Sequence, residues 1–145
     1  MINYCIFPKY NLIAICNWGD TPVQEVLEFS RNLRANPLYS KRLDVIIDNS
    51  QLKTTYTQNE VGIMSEPERK TSNLNNKIAI IAPSDIHYGI SRMHDTVAKI
   101  NKNTYNISVF RDARSALKWL NRTEINIENV FKTLQEEYSN KMEKR

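Results

Sequence analysis

At 145 residues and 16.9 kDa the chain suffices for one domain with its own core and is short for two. Its 41% hydrophobic and 25% charged residues have the balance of a globular protein, which excludes intrinsic disorder. A net charge of +4 and basic pairs dispersed at Lys41-Arg42, Arg69-Lys70 and Lys144-Arg145 give no dense basic patch, so no nucleic-acid partner is expected.

In chain order, Ile2 to Phe7 and Leu12 to Asn17 are β-prone runs separated by Pro8-Lys9-Tyr10-Asn11, the pattern of a hairpin. Thr21-Pro22 is expected to open a helix, with Thr as N-cap and Pro at the first helical position. Val23, Val26, Leu27, Ser30 and Leu33 form its inward face, and Asn36-Pro37 ends it. Leu43 to Asp48 is a largely apolar strand, as expected when both faces are covered. Thr57-Gln58-Asn59-Glu60 has capping-box form and starts a helix carrying Val61, Ile63 and Met64, which Pro67 is expected to break or re-start.

Lys77 to Pro83 is a second buried strand, neighbouring and parallel to the first. Ser84 is read as the cap of a helix with Ile86, Ile90, Met93, Val97 and Ile100 inward. Ile107 to Phe110 is a further strand, and Asp112 caps a helix that turns Ala113, Ala116, Leu117 and Leu120 inward. Glu128 to Met142 reads as a last amphipathic helix with Ile127, Val130, Phe131, Leu134 and Tyr138 on one side. Strands alternating with single helices favour parallel pairing. The expected fold is α/β: an N-terminal β-hairpin leading into a mostly parallel five-stranded sheet with connecting helices, plus an extra C-terminal helix. Residues 1–122 form the domain, and 123–145 the C-terminal amphipathic helix and tail.

Ligands of open parallel sheets gather at the carboxyl ends of the strands. That edge collects Asn17-Trp18-Gly19, Asp48-Asn49-Ser50, Pro83-Ser84-Asp85 and Phe110-Arg111-Asp112. Candidate binding residues are therefore Asp48, Ser50, Ser84, Asp85 and Arg111, although helix capping explains Ser84 and a strand-end turn explains Asp48. Tyr88, Arg92 and Asp95 share one helix face at i, i+4 and i+7, which adds Tyr88 and Arg92 as candidates for contacting a partner. Gly89 in that helix suggests a close approach by another backbone.

Catalytic signatures are missing. Gly19, Gly62 and Gly89 build neither a Walker loop nor a dinucleotide fingerprint. Neither Cys5 nor Cys16 stands beside a His in a nucleophile context, and His87 and His94 lack a metal-ligand spacing. No enzyme activity, cofactor or metal is expected, and the two cysteines are read as buried thiols. Trp18 and Trp119 are read as packing anchors. No apolar run approaches the ~20 residues that cross a bilayer, and Met1 to Cys5 lacks the form of a signal peptide. A cytoplasmic protein is expected.

The strand VIIDNS, the stretch KIAIIAPSD followed by HYGISRM, and the segment ISVFRDARSALKWL, in that order, resemble the SpoIIAA-like superfamily. The likeness is to its small bacterial STAS/SEC14-like members and covers roughly Ile2 to Leu120. It implies an initial hairpin, a mostly parallel sheet and helices laid along it. STAS domains are non-catalytic modules that bind protein partners, and some bind nucleotides or lipids. In the anti-sigma antagonists of that superfamily a helix-start Ser, preceded by Asp, is phosphorylated. Here Thr57 falls at the acceptor, but Tyr56 replaces the Asp and Gln58-Asn59 replace the small residues that follow.

Two functions are carried forward. The favoured expectation is a non-enzymatic regulatory module that contacts a protein partner through the helix starting at Thr57 and the Tyr88-to-Asp95 face. The alternative is a carrier for a small lipid-like or anionic ligand, with Asp48, Ser84 and Arg111 converging on an apolar pocket. The C-terminal stripe must be covered either by the domain or by a second copy, and an isologous homodimer is slightly preferred.

Overall fold

The chain turns back on itself at Pro8–Tyr10, a single 3-10 turn closed by Asn11 in the left-handed conformation. In the computed structural model, which describes residues 1–69, 76–82 and 106–143, this turn joins β1 (Ile2–Phe7) to β2 (Leu12–Gly19) as an antiparallel hairpin. Strands β3 (Asp44–Leu52), β4 (Lys77–Ile81) and β5 (Asn106–Phe110) then add in sequence order, each parallel to the one before. The result is a mixed five-stranded sheet, parallel except for β1. As expected, VIIDN and KIAII are adjacent parallel strands, with Val45 opposite Ile78 and Ile47 opposite Ile80, and neither is at an edge.

Strand β2 is buried along nearly its whole length because both of its faces are covered. Its even positions Leu12, Ala14, Cys16 and Trp18 meet Ile46 of β3 and Ala79 and Ile81 of β4 in one core. Two helices close that core: α3 (Ala113–Leu120), through Ala116, Leu117 and Leu120, and α4 (Ile127–Glu143), through Ile127, Phe131 and Leu134. Tyr138 of α4 adds an edge-to-face contact with Trp18 at 5.2 Å between centroids. The C-terminal stripe is thus covered by the sheet of its own chain, with Ile127, Phe131 and Leu134 buried and Val130 and Tyr138 half-buried. Cys5 and Cys16 lie on this same face of the hairpin and are free thiols.

The odd positions of β2, Ile13 and Ile15, face the other way, with Val45 and Ile47 of β3 beside them. Here the cover is α1 (Val23–Ala35) and α2 (Gln58–Arg69). Helix α1 leans toward β1, where Phe29 meets the Tyr4 ring edge-on at 5.5 Å and Asn36 donates to the Tyr4 hydroxyl at 2.8 Å. Leu33 is the one buried residue of α1; Val26 and Phe29 are only half-buried. Among the described residues the two faces of the sheet are therefore filled to different degrees.

Two local expectations need correction. Thr21 does not cap α1: Pro22 holds the N-cap position without a side-chain bond. Thr21 is fully buried and engaged elsewhere, its hydroxyl donating to the Trp18 carbonyl at 3.3 Å and its N–H to Thr54 Oγ1 at 2.8 Å. Pro67 does not break α2, which continues to Arg69. Proline removes a single backbone donor, a loss the helix tolerates at this position.

Candidate functional site: an acceptor-lined cavity under helices α1 and α2

Among the described residues this second face holds a partly open cavity of about 200 Å³. Its floor is the β-branched row of Ile13, Ile15, Val45, Ile47, Ile78 and Ile80, of which Ile13 and Ile15 also pack against Leu33 and Phe29 of α1. Its roof is Val26, Phe29 and Leu33 of α1 with Val61 and Met64 of α2. Apolar walls of this kind account for most pockets that take small organic molecules.

Three asparagines stand out among the polar side chains that interrupt those walls. Asn17, Asn49 and Asn76 all line the cavity, and each has a buried Oδ1 with no hydrogen-bond partner. They are the orphaned side-chain atoms among the described residues. An unpaired buried acceptor costs about 1–3 kcal/mol, so three around one space are an arrangement folding alone would not select. Asn17 and Asn76 are only 6% and 5% exposed.

Local structure explains how each gets there. Asn17 occupies the inward parity of β2 after Ile13 and Ile15, and Asn49 follows Val45 and Ile47 in the same way on β3. Between Cys16–Asp48 and Trp18–Gln51 the register shifts by one residue, so β3 carries a bulge at Asn49-Ser50 opposite Asn17. Asp48 holds that bulge, its Oδ1 accepting from the Ser50 N–H at 2.9 Å. Beyond β3, Tyr56 borders the same end of the cavity and donates from its hydroxyl to the Thr21 carbonyl at 2.7 Å. Burial raises the Tyr56 hydroxyl above its ordinary value, opposed by its bond with the Asn17 side chain and assisted by Glu25 and Glu60. At the opposite end Asn76, just before β4, donates from Nδ2 to the Leu43 carbonyl at 2.9 Å. Arg34 and Lys41 line the cavity at that second end.

The expected site residues fall elsewhere. Asp48 and Ser50 make the bulge turn and do not line the cavity. Thr57 and Glu60 form the capping box foreseen for α2: Thr57 N–H donates to Glu60 Oε1 at 3.0 Å, and Glu60 N–H to Thr57 Oγ1 at 3.1 Å. Arg111 is exposed at the end of β5, and Asp112 caps α3 by accepting from the Ser115 N–H at 2.7 Å, which holds its carboxyl below the ordinary range. Ser84, Asp85, Tyr88 and Arg92, with Gly89, His87 and His94, lie outside the described residues. In the sequence Asn17 and Asn49 stand only as members of the edge segments Asn17-Trp18-Gly19 and Asp48-Asn49-Ser50. The signal that marks them is parity: a polar residue at the third inward position of an otherwise apolar alternation.

Among the described residues there is no cluster of His, Cys, Asp or Glu able to hold a metal ion, and no helix long and apolar enough to cross a membrane. The cysteines lie on the other face of the sheet from the cavity. Burial pushes the Cys16 thiol up from 9.0 to about 11, against a hydrogen bond from Gln135 and with a further push from Asp48. Such a thiol is a packing group and a poor nucleophile at neutral pH. Comparison with protein-family models, curated proteins and solved structures finds no match to this chain.

Proposed function

We propose that this chain is a non-enzymatic ligand-binding module of SpoIIAA-like type, holding a small, largely apolar molecule between the sheet and helices α1 and α2. The hairpin, the parallel strands added in order and the helices laid along them support the fold-family half of this reading. The single observation that carries the ligand half is the apolar cavity of about 200 Å³ bounded by three orphaned carboxamide oxygens. An engineered cavity of roughly 150 Å³ is enough for benzene, so this one has room for a somewhat larger molecule. It also reverses the order of the two functions weighed from sequence, placing ligand binding ahead of a protein partner. The sheet's carboxyl edge contributes through Asn17, Asn49 and Tyr56.

Native mass spectrometry of protein purified from its own cells tests the proposal. The wild-type chain is expected to carry a noncovalent adduct of a few hundred daltons or less. Ile47→Phe, which pushes a ring into the space, is expected to fold and to lose that adduct. An adduct retained in full by Ile47→Phe would place the ligand elsewhere, and a wild-type chain that neither carries nor takes up any small molecule would end the reading.

A further inference from the structure

We infer that the molecule this cavity takes is neutral and carries a hydroxyl or N–H group that donates to the asparagine oxygens; this rests on the ligand-binding reading above. The inference follows from the hydrogen-bond directions open to the two most buried asparagines. Tyr56 has one hydroxyl hydrogen, and it goes to the Thr21 carbonyl. The phenolic oxygen can then offer Asn17 only an acceptor, so the buried Asn17 oxygen finds no donor there and stays open to the cavity. Asn76 is fixed by the same logic. Its Nδ2 meets the Leu43 carbonyl, and reversing the amide would set two oxygens against each other. What is left open at both ends, and at Asn49, is an acceptor.

An acceptor is satisfied only by a donor, and a carboxylate at neutral pH has none. Placed against these oxygens in an apolar space, an anion would be desolvated without a partner. A cation fares little better. No Asp or Glu is among the described lining residues, and the two charged ones, Arg34 and Lys41, are both basic. A neutral alcohol or amide meets every requirement: apolar body, donor at the end, no charge. The competing arrangement seats a carboxylate at Arg34 and Lys41 with its tail inward, which leaves Asn17 and Asn49 unsatisfied.

Three probes of matched length distinguish these outcomes: 1-octanol, octanamide and octanoate, titrated into the full chain at pH 7.5 by calorimetry and by NMR of the asparagine side-chain NH₂ resonances. The alcohol and the amide are expected to shift the Asn17 and Asn76 resonances and to bind at least tenfold more tightly than octanoate. Asn17→Leu, nearly isosteric and without the acceptor, is expected to erase most of that preference; if it fails to fold, the wild-type ranking decides alone. Octanoate binding as tightly as the alcohol, or more so, would overturn the inference and leave the cavity a ligand site. If no probe binds and no resonance moves, water satisfies the oxygens, and the ligand-binding reading falls with the inference.

Discussion

Cys16 and Asn17 are consecutive, yet the pleat sends them to opposite faces, and their chemistry separates accordingly. The Cys16 thiol is buried among side chains of α4 and held up to about 11. The sign of its effect on stability follows from linkage. Above pH 9 the unfolded chain releases the thiol proton while the folded chain keeps it, so this contribution is complete below pH 9 and is lost as pH rises through about 11. The Tyr56 hydroxyl, also raised, adds a loss of the same sign at higher pH. Melting temperatures from pH 8 to 11.5 are expected to fall for the wild type and to fall less steeply for Cys16→Ala; parallel curves would show that Cys16 contributes nothing. At this scale the sequence was half legible. The buried Cys16 thiol and the packing tryptophans can be read from residue type, because burial is their ordinary state, whereas Cys5, expected buried, is only half-buried. The asparagines could not, because a polar residue at a strand end is ordinarily a turn residue.

At the scale of the element, the start of α2 was written in four consecutive residues. The reciprocal bonds between Thr57 and Glu60 satisfy a helix N–H and order the chain leaving β3. Thr57→Ala is expected to cost about 1 kcal/mol and Thr57→Ser much less, read as midpoint shifts in urea. A loss under about 0.3 kcal/mol for Thr57→Ala would show that the box does not hold the helix. A phosphate on Thr57 would displace this exchange and sit beside the Glu60 carboxylate, so the acceptor position suggested by resemblance already has a structural task. Caps of this kind are legible because partner and cap lie within one turn. Thr21 shows the limit of the same rule, since the buried strand end recruits its hydroxyl before the helix can. The stripe on α4 was equally plain, but a stripe records only that a surface is needed. The matching surface is Leu12, Ala14, Cys16 and Trp18, more than a hundred residues away in sequence, and local periodicity carries no address.

Across the whole molecule, one side chain joins what the sheet does not. Arg122, just past α3, donates from Nε to the Tyr10 carbonyl at 2.7 Å and pairs with Asp44 at 2.9 Å. Asp44 in turn accepts from the Lys77 N–H at 2.7 Å, so the β1–β2 turn, β3, β4 and the end of α3 meet at one mostly buried ion pair. Removing one member leaves the other charge and several carbonyls without partners. Arg122→Ala is expected to cost about 2–4 kcal/mol in denaturant unfolding. In a double-mutant cycle with Asp44→Ala the two changes should be clearly non-additive, and additivity within about 0.5 kcal/mol would show the pair to be incidental. The order of the strands could be anticipated from alternation; this junction could not, because its members are spread across the chain. The unequal filling of the sheet's two faces has its own consequence for how the protein can change. If the proposed function holds, alternate positions on β2 and β3 answer to different demands: Ala14, Cys16 and Ile46 to packing density alone, Ile13, Ile15 and Ile47 also to the shape of a guest. A methylene removed from the first set opens a defect, whereas one removed from the second enlarges a vessel. On that reading specificity would drift by single substitutions along one side of the sheet while the other side keeps the chain folded.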